Sequence, residues 1–471
     1  MQQDFDREVL SRLPLAEATL ALWQFVCDDY CLDDLYDRHR GRTYEKKITF
    51  PLMAQLVRDA LLEPDGSGHK SFCHAQRDGT LDAVLSSTYD KLGHLPRAVS
   101  EAFLAQGADR LRQVFPEAEV AALADPVPAS LCDFEVIVLD GKVVKRVPRR
   151  LQPARRRKGG LLGGKGLAAL HLRSGLALAL ATDPDGEAND AKLVPALLPQ
   201  VRGHVGGPRL WLADRPFCDL VQTAAFTAQD GDHFLVRYHK KVHFHPDPAR
   251  PAQGGQDRQG RAYEQEWGWL GGERDPRRRY VRRLTLRRDG EEDIILVTDL
   301  VGAAAYPAED LLALYLARWG IERVFQQITE VFHLNRLIAT TPEGTLFQLS
   351  FCLLLYDMIQ VVRGYVAAGQ QHPVEVISTE LLFADVTKQL VALNELVEAG
   401  RVVVLLPALP SAAAVRRHLR QLLGSVWSDG WLKAPAQRRQ PPARKKGRRE
   451  HTSVYRLLNA HSRSRRKATV T

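Results

Sequence analysis

The sequence predicts an α/β protein whose core is interrupted by a β-rich insertion, with a helical region before the core and helices plus a basic tail after it. Three observations carry that reading. Residues 5–112 repeat their apolar positions every three or four residues and hold few strand-like runs. From residue 134 onward, short apolar runs alternate with helical stretches. Residues 239–288 break this alternation, being polar and rich in Gly, Gln and Arg.

In the N-terminal part, the spacing predicts helices over 15–31 and 50–62, and two short ones within 80–103 around Gly93-His94-Leu95-Pro96. Residues 1–125 read as a separate helical domain or cap, closed by Asp125-Pro126-Val127-Pro128. Phe134 to Leu139 is an apolar strand that stops at Asp140-Gly141, and Val143 to Val147 can pair back on it. A basic, glycine-rich loop over 155–165 leads to a second strand candidate, 168–182. A helix over 192–201, a strand over 209–213 ending at Asp214, a helix over 219–228 and a strand over 234–237 complete the first part of the core, 126–238. The insertion, 239–290, contains Trp267 and Trp269 and alternates like a strand over 280–286. The second part of the core, 291–365, has a strand at 294–297 and a long helix over 309–332 announced by Tyr306-Pro307. Helices over 345–362 and 379–398, and a strand or helix over 402–406, lead through a C-terminal helical region, 366–435. The segment beyond Trp431 reads as a flexible tail with an ordered patch at Val454-Tyr455-Arg456-Leu457; its basic part is 436–471.

Apolar content of 45% and charged content of 26% exclude disorder of the whole chain. No basic-then-apolar leader opens the sequence, and the apolar run 345–362 is interrupted by Gln348, Ser350, Asp357 and Gln360. A buried helix is expected there, with no membrane span, in a cytoplasmic protein. Cys27, Cys31, Cys73, Cys132, Cys218 and Cys352 lack the paired spacing of a zinc site and fit a reducing compartment. The net charge of +9 is unevenly spread. Residues 436–468 carry 12 Lys or Arg and one Glu, a net of +11, so the other residues together carry about −2. Lys142 to Lys158 has nine Lys or Arg and no acid, and Arg274 to Arg288 has eight against Asp275. Any one block reads as a solvated face; three together point to a polyanion, with nucleic acid first and affinity falling steeply with salt.

Open sheets bind ligands at the carboxyl ends of their strands, and Asp140 and Asp214 each stand where an apolar strand stops. Glu322 can approach them from the side of a helix on which Tyr315, Arg318 and Glu322 lie along one face, at i, i+3 and i+7. Each acid alone reads as a cap or turn residue, and an Arg318/Glu322 pair alone as a surface salt bridge. Three carboxylates brought together repel unless a hard cation lies among them. Two Mg²⁺ ions about 4 Å apart, with Mn²⁺ as substitute, activate a water or a 3′-hydroxyl and stabilise the leaving oxygen.

These residues carry a resemblance. The chain resembles bacterial insertion-sequence transposases of the DDE type, in the group marked by a Tyr-x2-Arg-x3-Glu-x6-Lys signature. Asp140 lies in Val138-Leu139-Asp140-Gly141, like the first aspartate of that family. Asp214 lies in Leu212-Ala213-Asp214-Arg215-Pro216-Phe217, similar to the second motif with Pro216 where glycine is usual. Glu322 lies in Tyr315-x2-Arg318-Trp319-x-Ile321-Glu322-x2-Phe325, matching the third. The likeness spans roughly residues 5–458, including Tyr89-Asp90-Lys91-Leu92 and His451-Thr452-Ser453-Val454-Tyr455. It implies a ribonuclease-H-like catalytic core, an N-terminal region that binds DNA ends, and metal ligation and catalysis by Asp140, Asp214 and Glu322. Tyr315 and Arg318 would grip phosphates near the cleaved end. It further implies terminal inverted repeats and target DNA as partners, a dimer on DNA, and a bacterial protein associated with the nucleoid when bound.

The signature departs at its last position, where Thr329 replaces lysine. A charge-assisted hydrogen bond is about twice as strong as a neutral one, so the threonine implies a weaker hold on a terminal phosphate, with Arg323 and Arg336 as candidates to compensate. Trp267 and Trp269 resemble insertion tryptophans that stack on a displaced nucleotide; anchoring a small β lobe is the competing reading. Arg155, Arg156, Arg157 and Lys158, beside Gly159-Gly160, lack the ending of a nucleotide phosphate loop and read as DNA-backbone contacts. His239, His243 and His245 with Asp247 read as a solvated or DNA-facing edge, and Asp190 as a helix N-cap or a minor partner of the metals. Besides a transposase, the sequence admits a DNA-binding remnant that no longer cleaves, and a metal-dependent nuclease without strand transfer.

Overall fold

The structure, a computed structural model, describes residues 2–43, 45–62, 67–397, 399–433 and 450–470. The expected basic tail therefore lies partly, over 436–449, outside the described residues. Among the described residues, eleven strands form one sheet. They are β1 (Glu135–Lys145), β2 (Gly160–His171), β3 (Ala177–Asp183), β4 (Arg209–Ala213), β5 (His233–Arg237) and β6 (Phe244–Pro246), then β7 (Gln253–Gln256), β8 (Ala262–Leu270), β9 (Arg279–Leu286), β10 (Ile294–Thr298) and β11 (His451–Ser453).

The first five strands lie in the order β3-β2-β1-β4-β5, with β2 antiparallel to both β1 and β3, and with β1, β4 and β5 mutually parallel. The parallel strands are buried on both faces: Val136 to Leu139 of β1 and all of β4 are shielded from solvent, as expected for parallel strands covered by helices. The antiparallel pairing of β10 with β5 then carries the sheet onward through β9 and β8 to β6 and β7. The residues read as an inserted lobe thus continue the same hydrogen-bonded sheet that holds β1 and β4.

The helix Pro342–Gly369 is the core of the protein. It is long and apolar enough to cross a membrane by length and composition, and it is buried inside the protein. Two of its buried polar side chains are tied to backbone: Gln348 accepts the Ile338 N–H at 2.9 Å, and Asp357 accepts the Ala177 N–H at 2.8 Å. The N-terminal helices pack on it through Phe50, Phe103, Phe347 and Phe351, with Phe103 stacked on Phe351 at 5.3 Å. The helix Arg97–Val114 is also bonded to the sheet, since Glu101 accepts the Thr182 N–H at 2.7 Å and Arg97 donates to the Thr182 carbonyl at 2.9 Å.

Several elements depart from the sequence pattern. The helix expected over 15–31 is two, Pro14–Val26 and Asp29–His39, because Asp28 caps the second by accepting the Cys31 N–H at 3.0 Å. The long helix expected over 309–332 breaks at Arg318-Trp319 into Ala308–Ala317 and Gly320–Glu330. Of the segment 402–406, of undecided type, residues 402–405 belong to the helix Ala399–Leu405, and the helix Ala412–Leu423 follows it. The patch at Val454 begins a helix, Val454–Val470, behind β11, which pairs in parallel with Gly160 to Leu162 of β2.

Candidate active site

The parallel register of β1, β4 and β5 sets up the site. Leu139 pairs with Ala213 and Ala213 with Val236, so the next residues, Asp140, Asp214 and Arg237, stand at one level where the parallel pairing of these three strands ends; β1 itself runs on past Asp140, which pairs with Ala168 of β2. Asp140 is half-buried, and its carboxylate accepts the N–H of Gly141 at 2.8 Å. Asp214 accepts the Tyr315 hydroxyl at 3.3 Å and lies 3.9 Å from the Arg237 guanidinium.

The break between the two helices brings the third acid in. Arg318, at the break, is only 2% exposed. Its guanidinium lies 5.4 Å from the centre of the Tyr315 ring and 3.4 Å from the Glu322 carboxylate, whose side chain is 58% exposed. Burial opposes the Arg318 charge, yet Tyr315, Asp214, Asp140 and Glu322 outweigh it and hold the guanidinium above its ordinary range. Burial pushes the Asp140 carboxyl up to about 6, the Gly141 N–H and Arg318 oppose this, and Glu322 and Asp214 add to it. Burial likewise raises the Tyr315 phenol, keeping it a neutral donor. All three acids, Tyr315 and Arg318 are therefore within electrostatic reach of one another. Their relation differs from the single helical face expected: Tyr315 and Glu322 sit on separate helices, with Arg318 turned inward at the junction.

Residues 132–358 match the family model described as the transposase DDE domain. The matched stretch includes β1 to β10, Asp140, Asp214, Tyr315, Arg318 and Glu322, and the match supports a transposase function. No curated protein matches the chain. Among solved structures, the cryo-EM structure of the piggyBac transposase synaptic complex with hairpin DNA is similar at 10% identity and a TM-score of 0.39, over 88% of each chain.

Transposases with a DDE domain use divalent metal ions. The donor set here is all oxygen, which suits Mg²⁺ or Mn²⁺ and not zinc. Among the described residues, no three His, Cys, Asp or Glu side chains are gathered into a finished metal cage. Arg318 supplies the positive charge among the acids, and the Glu322 side chain is more exposed than that of Asp214.

The remaining site residues fall into two groups. Arg155, Arg156, Arg157 and Lys158 are exposed, without a carboxylate partner among the described residues. Four of the eight arginines in the Arg274 to Arg288 block are ion-paired among the described residues, Arg277 with Asp275 among them. Arg283 pairs with Glu266, Arg287 with Asp293 and Glu264, and Arg288 with Glu291, while Arg282 is fully buried against Gln265. Trp267 and Trp269 differ as well. Trp267 is 1% exposed, donates to the Val301 carbonyl at 2.9 Å and has Arg250 over its ring at 3.8 Å, so no face is open to a base. Trp269, toward the edge of the sheet, is 38% exposed with Arg278 on one face at 4.5 Å.

Asp190 is not the cap of its turn; Asn189 is, accepting the Ala191 N–H at 3.2 Å. Asp190 pairs with Lys165 at 2.9 Å and packs directly on Gly141, leaving no room for a Cβ there. Arg237 and Lys142 were not singled out from the sequence. Arg237 follows the apolar run Phe234 to Val236 as Asp214 follows its own, and Lys142 stands two residues after Asp140 on the same face of β1. Lys142 donates to the Phe325 carbonyl at 2.9 Å and to the Thr329 hydroxyl at 2.7 Å.

Proposed function

We propose that the chain is a DDE-type transposase of the Tyr-Arg-Glu-Lys group, with a ribonuclease-H-like core, that cleaves phosphodiesters at the ends of its element and joins the freed ends to target DNA. The observation that carries the proposal is the buried Arg318 guanidinium among Tyr315, Asp214, Asp140 and Glu322, at the carboxyl end of the parallel strands. The strand order β3-β2-β1-β4-β5 supports the fold assignment.

Asp140, Asp214 and Glu322 would hold the divalent ions, Mg²⁺ with Mn²⁺ as substitute, as two ions. When bound, such ions activate the attacking oxygen and stabilise the leaving one. The chain's own residues position the DNA. Arg318, turned toward the acids, offers a rigid fork to a non-bridging phosphate oxygen, and the neutral Tyr315 phenol donates a hydrogen bond. In hydrolysis, a water oxygen bonds to phosphorus, the bond to the 3′-oxygen breaks, and the 3′-hydroxyl is freed. In transfer, that 3′-oxygen attacks a target phosphodiester and displaces another 3′-oxygen. Arg155 to Lys158 grip the DNA backbone, Trp269 serves as a stacking surface and Trp267 supports the strand beneath it. Two ends meeting before transfer make the working form a dimer on terminal inverted repeats.

Mixing the protein with Mg²⁺ and a duplex carrying the inverted repeat that flanks its coding region tests the reading. Joined products are expected. Cleavage without joining would make the protein a nuclease, and binding without nicking a remnant. Asp140→Asn, Asp214→Asn and Glu322→Gln should each abolish nicking and spare end binding; nicking by any of the three would show its metal ligand wrongly assigned.

A further inference from the structure

Lys142 places a cation where the site helix has none. It follows Asp140 by two residues on β1, so both side chains leave the same face of the strand. Its ammonium crosses to the helix Gly320–Glu330 and is held at two points, the Phe325 carbonyl at 2.9 Å and the Thr329 hydroxyl at 2.7 Å. Thr329 spends its own proton on the Phe325 carbonyl at 2.6 Å, so its oxygen faces Lys142 as an acceptor. The ammonium sits 5.6 Å from the centre of the Phe325 ring. No carboxylate pairs with it among the described residues. An ammonium carries three N–H donors, and two are used, so one remains for an anion.

The position also fits. Thr329 lies seven residues beyond Glu322, about two turns and about 10 Å along the same helical face. A cation there is too far to share the scissile phosphate with Glu322 and is placed for a neighbouring one. We propose that Lys142 is a DNA-phosphate-binding residue of the site, and that Thr329 is a positioning residue that holds its ammonium over the helix. The charge that the signature places on the helix at 329 is thus delivered from the strand. The inference rests on reading the site as one that cleaves phosphodiesters.

The test uses the full chain and the inverted-repeat duplex, with either a 5′-phosphate or a 5′-hydroxyl at its end, over a salt series. Lys142→Met should weaken binding about tenfold and reduce the slope of log affinity against log salt by about one. Thr329→Val should weaken binding less, because the Phe325 carbonyl remains. The double variant Lys142→Thr with Thr329→Lys should restore both affinity and slope, a rescue that a merely structural role for Lys142 does not give. Loss of discrimination between the two duplex ends in Lys142→Met identifies the terminal phosphate as the ligand; equal weakening on both identifies an internal one. Thermal melts establish that each variant is folded. A folded Lys142→Met with wild-type affinity and slope overturns the inference, as does a folded double variant without rescue. Absence of binding and nicking by the wild-type protein would instead remove the functional reading on which it rests.

Discussion

Asp140 is a residue whose ionisation costs the metal-free fold. Its ordinary value is near 3.8 and burial raises it to about 6, so the folded protein holds the proton more tightly than the unfolded chain. The stability this contributes is fully present below the unfolded value and is lost as pH rises through about 6. Asparagine does not titrate. Asp140→Asn should therefore match the wild type near pH 4 and exceed it by on the order of 2 kcal/mol above pH 6, measured by denaturant unfolding in a chelator. An unchanged difference across that range would mean that Asp140 is well solvated. In the sequence Asp140 was legible as a candidate only in its ordered set with Asp214 and Glu322, because each acid alone reads as a cap or turn residue. Lys142 was not, because its meaning depends on which side chain lies opposite, and no spacing within β1 gives that.

At the scale of elements, periodicity showed where helices and strands run and left open how they meet. Residues 309–332 are apolar at helical spacing throughout, and nothing in that pattern reveals the break at Arg318. At the break the tertiary fold buries the Arg318 guanidinium with Tyr315, Asp214, Asp140 and Glu322 around it. Gly320 marks the spot and does not cause it, since a Cβ there would meet nothing within 4 Å. Gly320→Ala should raise stability by up to about 1 kcal/mol through helix propensity and leave nicking intact. A higher melting temperature with lost nicking would show that the junction must flex. The basic block at Arg274 to Arg288 is a similar case. Its charge was countable, but its partners Glu264 and Glu266 belong to β8, and cross-strand pairing had to be seen before the block could be told from the open one at Arg155 to Lys158.

For the whole molecule, the helix Pro342–Gly369 ties the N-terminal helices to the sheet, and Asp357 is a fully buried acid within it. One carboxylate oxygen accepts the Ala177 N–H, and the other has no hydrogen-bond partner among the described residues. Burial raises the group well above its ordinary value, so the protein keeps it protonated, and its contribution to stability falls as pH rises above the unfolded value of about 3.9. Asp357→Asn keeps the acceptor for Ala177 and removes the titration. Its melting temperature should equal that of the wild type near pH 4 and pass it progressively toward pH 8; a variant less stable at every pH would mean that the protonated acid makes a bond asparagine cannot replace. The outer edge of β2 has a further consequence for experiment. The chain returns there as β11, which pairs with Gly160 to Leu162, and the N–H of Gly160 is donated to the Glu450 carbonyl at 3.0 Å. A protein shortened after Lys433 would lose those partners and present an open strand to other copies of itself, an invitation to edge-to-edge association. Its light scattering should grow with concentration where that of the full chain does not. The cations between Arg438 and Arg449 are therefore best studied by replacing them with glutamine, with β11 left in place.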